Sequence, residues 1–175
     1  TDYDRIIDQF GLTPLNPSTI SEPSRLHRRG IIFAHRDLDV VQESQRKGDP
    51  FGVLTGLMPS GQMHLGHSMV IEQVKWFQRQ GGDVTIAVAD LESQATRGVG
   101  LEQGRTIALH EYIANYAALG LDPTKTTISF PSRRPIVPRL RFPLGTPTNL
   151  DEFAAIYGLN AQPQLATLPQ PAAQP

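Results

Sequence analysis

The sequence predicts an α/β fold built on a parallel sheet, and three observations carry the prediction. Short apolar runs at Gly52–Thr55, Val84–Ala89 and Thr126–Phe130 read as strands; the middle run, apolar at all but Thr85, suits a strand buried on both faces. Helical periodicities separate them: Val70, Val74 and Phe77 at i, i+4 and i+7, then Ile107, Ala108, Tyr112, Ile113, Tyr116 and Leu119 on one side of residues 102–119. Glycine and proline punctuate each junction, at Gly56, Pro59 and Gly61, at Gly81-Gly82, and at Gly120 and Pro123. Strand, helix, strand, helix, strand implies right-handed parallel crossovers, the first half of a doubly wound sheet. A ligand then belongs beyond the carboxyl ends of the strands, where 55–60 and 90–94 would share a crevice.

The remaining elements are taken in chain order. Residues 2–10 read as a short amphipathic helix with Ile6, Ile7 and Phe10 on one side, ended by Gly11. Residues 13–23, with Pro14, Pro17 and Pro23, read as loop. Arg25, His27, Arg28 and Arg29 form a basic cluster, which by itself reads as a solvated edge. Asp37 is placed to cap a helix carrying Leu38 and Val41 that ends near Gly48. Beyond Phe130, proline density between Pro131 and Pro147 argues against helix and sheet interior alike. A short helix is expected over 149–157 and disorder from Leu159. The organisation is thus an N-terminal extension (1–49), a nucleotide-binding half-domain (50–130) and a Pro/Arg-rich segment with a disordered tail (131–175).

Composition excludes several classes of function. A net charge of −1 gives no general positive field, so a nucleic-acid partner would need a local patch. Without cysteine there is neither a disulfide framework nor a thiolate metal site. No apolar run approaches the roughly 20 residues that span a bilayer, and Thr1–Asp4 lacks the character of a leader. The cytoplasm is the expected compartment, with no membrane partner.

The chemistry concentrates where the first strand meets its helix. Its turn is Gly-rich, yet contains neither G-x-G-x-x-G nor G-x-x-x-x-G-K-[ST]. Instead His64 and His67 flank Gly66 at the mouth of the helix. There two imidazoles can donate to phosphate oxygens beside backbone N–H groups and a positive helix end. One histidine capping the helix while the other is solvated is the plainer alternative. A zinc site at H-x-x-H would need a third ligand, for which Glu72 and Asp90 are conceivable; no protein-held metal is expected.

Thr55-Gly56-Leu57-Met58-Pro59-Ser60-Gly61 followed by His64-Leu65-Gly66-His67 resembles the HIGH signature of class I aminoacyl-tRNA synthetases, in the form used by the tyrosyl and tryptophanyl enzymes. Leu26–Asp37 resembles the segment preceding the catalytic domain in archaeal and eukaryotic tryptophanyl-tRNA synthetases, and Val88-Ala89-Asp90-Leu91-Glu92 the strand end after the HIGH helix. The likeness runs from about Asp2 to Phe130. It implies a Rossmann-like catalytic domain that activates tryptophan: the carboxylate attacks the α-phosphate of ATP, pyrophosphate leaves, and the amino acid passes to tRNA. The cluster at Arg25, His27, Arg28 and Arg29 would tie the N-terminal extension to the catalytic domain or lie near bound tRNA. His64 and His67 would be catalytic. Thr55, Gly56, Pro59, Ser60, Gly61, His64, Gly66 and His67 would bind ATP, with adenine against Gly66, and Leu54, Asp90 and Glu92 would meet the amino acid. Mg2+ would arrive with ATP, and the parent protein would be a homodimer.

The sequence also departs from that family. Its lysines are Lys47, Lys75 and Lys125, and none belongs to a KMSKS motif. The resemblance therefore implies a truncated form of the enzyme. Leu54 and Ala87 stand where eukaryotic relatives carry polar groups that read the indole. An ATP-binding module without ligase activity, and a tyrosyl-type synthetase, are the alternative readings.

Overall fold

A computed structural model describes residues 2–146 and Asn149. The N-terminal part opens with helix α1, Tyr3–Phe10, where the Asp2 carboxylate accepts the Arg5 N–H at 3.1 Å and Gly11 closes the helix at φ +57°. The loop expected over 13–23 contains a brief strand, β1 (Thr13–Pro14), and a 3-10 turn at Pro17–Thr19. After helix α2 (Arg25–Arg28), strand β2 (Ala34–His35) pairs antiparallel with β1. Helix α3 spans Leu38–Lys47 and ends at left-handed Gly48. Asp37 holds its N-cap position but does not cap it. Its backbone is left-handed (φ +55°), whereas a capping side chain reaches back from an extended backbone, and His35 Nδ1 takes the Leu38 N–H instead at 3.2 Å.

The sheet is arranged as anticipated. Strands β3 (Gly52–Leu57), β4 (Asp83–Val88) and β5 (Thr126–Ser129) lie in the order β3-β4-β5, all parallel. The register aligns Val53, Thr55 and Leu57 with Val84, Ile86 and Val88, so these alternate residues share one face. Helix α4 (Leu65–Arg79) crosses from β3 to β4 on that side and buries Ile71 and Val74 against the sheet. The expected α4 stripe is corrected in part: Val70 is exposed and Phe77 half-buried, and Ile71, Val74, Lys75, Trp76 and Gln78 are the buried set. Gln78 works as a polar clamp. Its Oε1 accepts the Asp122 N–H at 2.8 Å and its Nε2 donates to Thr126 Oγ1 at 2.9 Å, joining α4 to the entrance of β5.

The single helix expected at 102–119 is instead a series. Helix α5 (Asp90–Arg97) comes first, absent from the sequence prediction, then α6 (Leu101–Ile107), one π turn (Ala108–Ile113) and α7 (Ala114–Ala118). Ala108, Tyr112 and Tyr116 from this series complete the core. The proline-rich segment is also corrected. Pro131–Arg133 forms a 3-10 turn, and helix α8 runs from Ile136 to Gly145 with Pro143 inside it. Pro138 falls in the first turn of α8, where an N–H would have no intrahelical acceptor, and Val137 is buried beneath it. The helix and disorder expected after Asn149 lie outside the described residues. Among the described residues no helix is long and apolar enough to cross a membrane.

The extension is bound to α4 by its second side. Trp76 Nε1 donates to the Glu22 carbonyl at 2.8 Å, and the His27 ring meets Trp76 edge-on at 4.8 Å. The basic cluster of α2 thus ties the extension down through His27, which is 4% exposed, while Arg28 and Arg29 face solvent.

Candidate functional site

The β3–α4 junction is held open from behind. Pro59 is buried, its carbonyl accepting the Ser93 hydroxyl of α5 at 3.1 Å, while the Ser60 N–H turns back to the Met58 carbonyl at 2.9 Å. Ser60, Gly61, His64 and Gly66 are exposed at the mouth, and His67 is half-buried.

The two histidines form a reciprocal cap. His64, extended at φ −133°, accepts the Gly66 N–H on Nδ1 at 3.2 Å; His67 Nδ1 accepts the His64 N–H, also at 3.2 Å. Their rings are 4.0 Å apart. An imidazole that accepts on Nδ1 carries its proton on Nε2 when neutral. Both rings therefore keep one Nε2–H free for a ligand, beside the positive end of a 15-residue helix. Burial, and then the neighbouring His64, lower the pKa of His67 below its ordinary value, so its neutral form persists to lower pH. The capping alternative is correct for both residues at Nδ1, without occupying either Nε2.

A Cβ at Gly66 would lie 3.0 Å from His64 Cε1 and 3.1 Å from its Nδ1, so the capping imidazole by itself accounts for a glycine there. Thr55 points to the helix-covered face, half-buried; Gly56 and Leu54 lie on the other, with Leu54 53% exposed. Asp90 does not face an open crevice. It is 1% exposed, and its carboxylate accepts the Leu91 N–H at 2.9 Å, the Ser132 N–H at 3.2 Å and the Ser132 hydroxyl. Arg105 donates to the same hydroxyl at 2.9 Å. Asp90 ties the end of β4 to the turn after β5, neither capping α5 nor lying in solvent. Glu92 is half-buried, and its carboxylate has no partner among the described residues. The structure thus gathers His64, His67, Ser60 and Gly61 at the mouth, and turns the Asp90 carboxylate to Ser132. Glu72, weighed as a metal ligand, pairs with Lys75 at 3.2 Å, and no group of three His, Asp or Glu converges among the described residues.

Sequence reasoning missed Ser93, Ser132 and Tyr112. Tyr112, buried in the π turn, touches His67 edge-on with ring centroids 5.2 Å apart. Burial raises its pKa, offset in part by the nearby Ser60 backbone N–H. Its one sequence signal is the four-residue spacing of Ala108, Tyr112 and Tyr116.

Comparison with known proteins agrees with this geometry. The family described as tRNA synthetases class I (W and Y) matches residues 46–167. A tryptophan–tRNA ligase of Thermoplasma acidophilum is 44% identical over 157 residues, covering 90% of this chain and 36% of that protein. One from Aeropyrum pernix is 42% identical over 180 residues, covering 98% of this chain and 48% of the relative. The crystal structure of the Aeropyrum pernix tryptophanyl-tRNA synthetase superposes with a TM-score of 0.83 at 40% identity, over 95% of this chain and 47% of that one. The chain spans less than half the length of these relatives. With the family match covering most of the sequence, and the histidine pair seated where a parallel β-strand feeds a helix, the chain belongs to the class I tRNA synthetases of the W and Y group.

Proposed function

We propose that the β3–α4 mouth binds ATP and that the chain contributes the nucleotide half of a tryptophan-activating site, whose whole enzyme passes tryptophan to tRNA. The observation that carries this reading is the reciprocal capping of His64 and His67 through Nδ1 at the positive end of α4, which leaves each neutral ring its Nε2–H as a donor. Phosphoryl chemistry needs alignment and neutralised charge rather than covalent help, and two oriented donors supply both. Thr55, Gly56, Pro59, Ser60, Gly61 and Gly66 form the wall around them; Leu54 and Glu92 lie on the amino-acid side. Magnesium would come with the nucleotide, held mainly by its phosphates. The comparisons favour tryptophan over tyrosine, since the Thermoplasma and Aeropyrum relatives are tryptophan enzymes. Dimerisation and tRNA contact are proposed for the longer protein.

Calorimetric titration of ATP tests this. Asparagine keeps an acceptor near the Nδ1 position and removes the Nε2–H, so His64→Asn with His67→Asn preserves the caps and deletes the donors. The loss expected is about 1.5–3 kcal/mol per donor to a charged group. Equal affinity for the variant and the parent would sink the assignment.

A second reading, a module that holds ATP without forming adenylate, is favoured by the positions of the lysines. Lys47 pairs with Glu43, Lys75 is buried beside Glu72, and Lys125 precedes β5 at the sheet end opposite the mouth. None can neutralise a departing pyrophosphate. Single-turnover assays with tryptophan, tyrosine and phenylalanine decide between the two: slow adenylate formation supports the first, and none alongside intact ATP binding supports the second.

A further inference from the structure

Behind the mouth lies a row of buried residues at intervals of four: Gly104, Ala108, Tyr112 and Tyr116. A plain α-helix cannot keep such a row in line. Four residues at 3.6 per turn overshoot by about 40°, so three steps drift about 120° around the axis. The π turn at Ala108–Ile113 sits in the middle of the row and winds less per residue, which cancels the drift. The realigned row backs both limbs of the mouth. Its first position is beside the turn, where a Cβ on Gly104 would lie 3.6 Å from Pro59 Cγ. Its third is Tyr112, whose ring stands at 87° to His67 with 5.2 Å between centroids. Tyr116 continues the row at 6.5 Å from Tyr112 but has no ring contact with either histidine. His67 is therefore held from both sides, by the His64 ring and N–H in front and the Tyr112 ring behind.

We infer that Tyr112, aligned by the π turn, is a positioning residue that locks His67 in the orientation whose Nδ1 takes the His64 N–H and whose Nε2 keeps the proton. Its value to ATP binding rests on the proposed function of the mouth; its action on the His67 ring does not. π turns are rare within helices and concentrate at functional sites. Here the turn has a stated task, which is to bring one aromatic ring into contact with one imidazole.

The test compares Tyr112→Leu, Tyr112→Phe and Tyr116→Leu in the full 175-residue chain, by nitrogen-15 spectra of the His67 ring and by ATP titration. In the parent and in Tyr112→Phe, which keeps the ring, His67 is expected to show one tautomer, protonated on Nε2. In Tyr112→Leu the tautomers should average and ATP affinity should fall about tenfold, part of the worth of one donor to a charged group, since an averaging ring still presents its Nε2–H some of the time. Tyr116→Leu, which softens the same core, should leave the His67 spectrum unchanged and affinity within about twofold. If Tyr112→Leu does not fold, Tyr112→Met keeps the volume without the ring and takes its place. A parental His67 that already averages its tautomers overturns the inference, as does a leucine or methionine variant with the parental spectrum. So does an equal affinity loss in Tyr116→Leu. A parent that binds no ATP refutes the proposed function alone, because the His67 spectrum still decides the role of Tyr112.

Discussion

Histidine here is a structural residue before it is a chemical one. His27, His35 and His67 each accept a backbone N–H on Nδ1 from the start of a helix, as His64 does for α4. The mouth pair sits where β3 feeds α4, with His64 exposed, whereas His27 is buried against Trp76, so the same cap serves a surface in one place and an anchor in another. His27 is the anchor, and burial lowers its pKa below 6.5. Between that lowered value and 6.5 the unfolded chain binds a proton that the native protein does not. Native stability is therefore full above 6.5 and is lost as pH falls through the folded-state value. Urea midpoints measured from pH 7.5 down to 5.5 should fall. The slope should shrink in His27→Asn, which keeps a capping acceptor and cannot titrate. It should not vanish, because His67 is shifted in the same direction. A slope unchanged in the variant would show that His27 is protonated as easily in the native protein as in the unfolded chain.

At the scale of elements, α4 is the piece that all others locate. One side packs on the sheet through Ile71 and Val74, another grips the extension through Trp76, and its end is pinned by Gln78. The return from α4 to β4 allows no side chain at Gly82, where a Cβ would approach Phe51 Cε2 and Val53 Cγ2 to 2.7 Å. Gly82→Ala should therefore destabilise the protein by about 1–3 kcal/mol through overpacking. Gly100→Ala, with nothing within 4 Å of its Cβ and no positive φ, is the control and should stay within about 0.5 kcal/mol. Equal urea midpoints for the two variants would mean that the 51–53 strand entrance yields freely. Helix α5 is as important and less conspicuous: Ser93 and Asp90 hold the mouth turn and the β5 exit from one short segment.

Across the whole molecule the sheet is covered unevenly. On one face Val84, Ile86 and Val88 are buried, whereas on the other Leu54 is 53% exposed and Thr127 is also open to solvent. An exposed apolar residue on a parallel edge strand invites association and the binding of hydrophobic dyes. Leu54→Lys should reduce dye fluorescence and self-association in sedimentation while shifting stability by no more than about 0.5 kcal/mol. A large loss of stability in that variant would show that Leu54 is packed in solution.

The sequence by itself determined the order of the strands, the turn between β3 and α4, the histidine pair and, through that signature, the family. Each is local: a run of β-branched residues, a glycine at a junction, two imidazoles three positions apart. Tertiary structure alone decided which flank of α4 is buried, because α4 is covered on two sides and a helix packed twice has no single stripe to read. It alone assigned Asp90 to Ser132, a partner 42 residues away, and moved that carboxylate from the ligand side to the interior. The helix at 136–145 emerged against its prolines, with Val137 buried beneath its first turn. The π turn was illegible for the same reason. Its register answers to Pro59 and His67, on a different strand–helix unit, and contacts made across such distances leave no periodic trace in the chain.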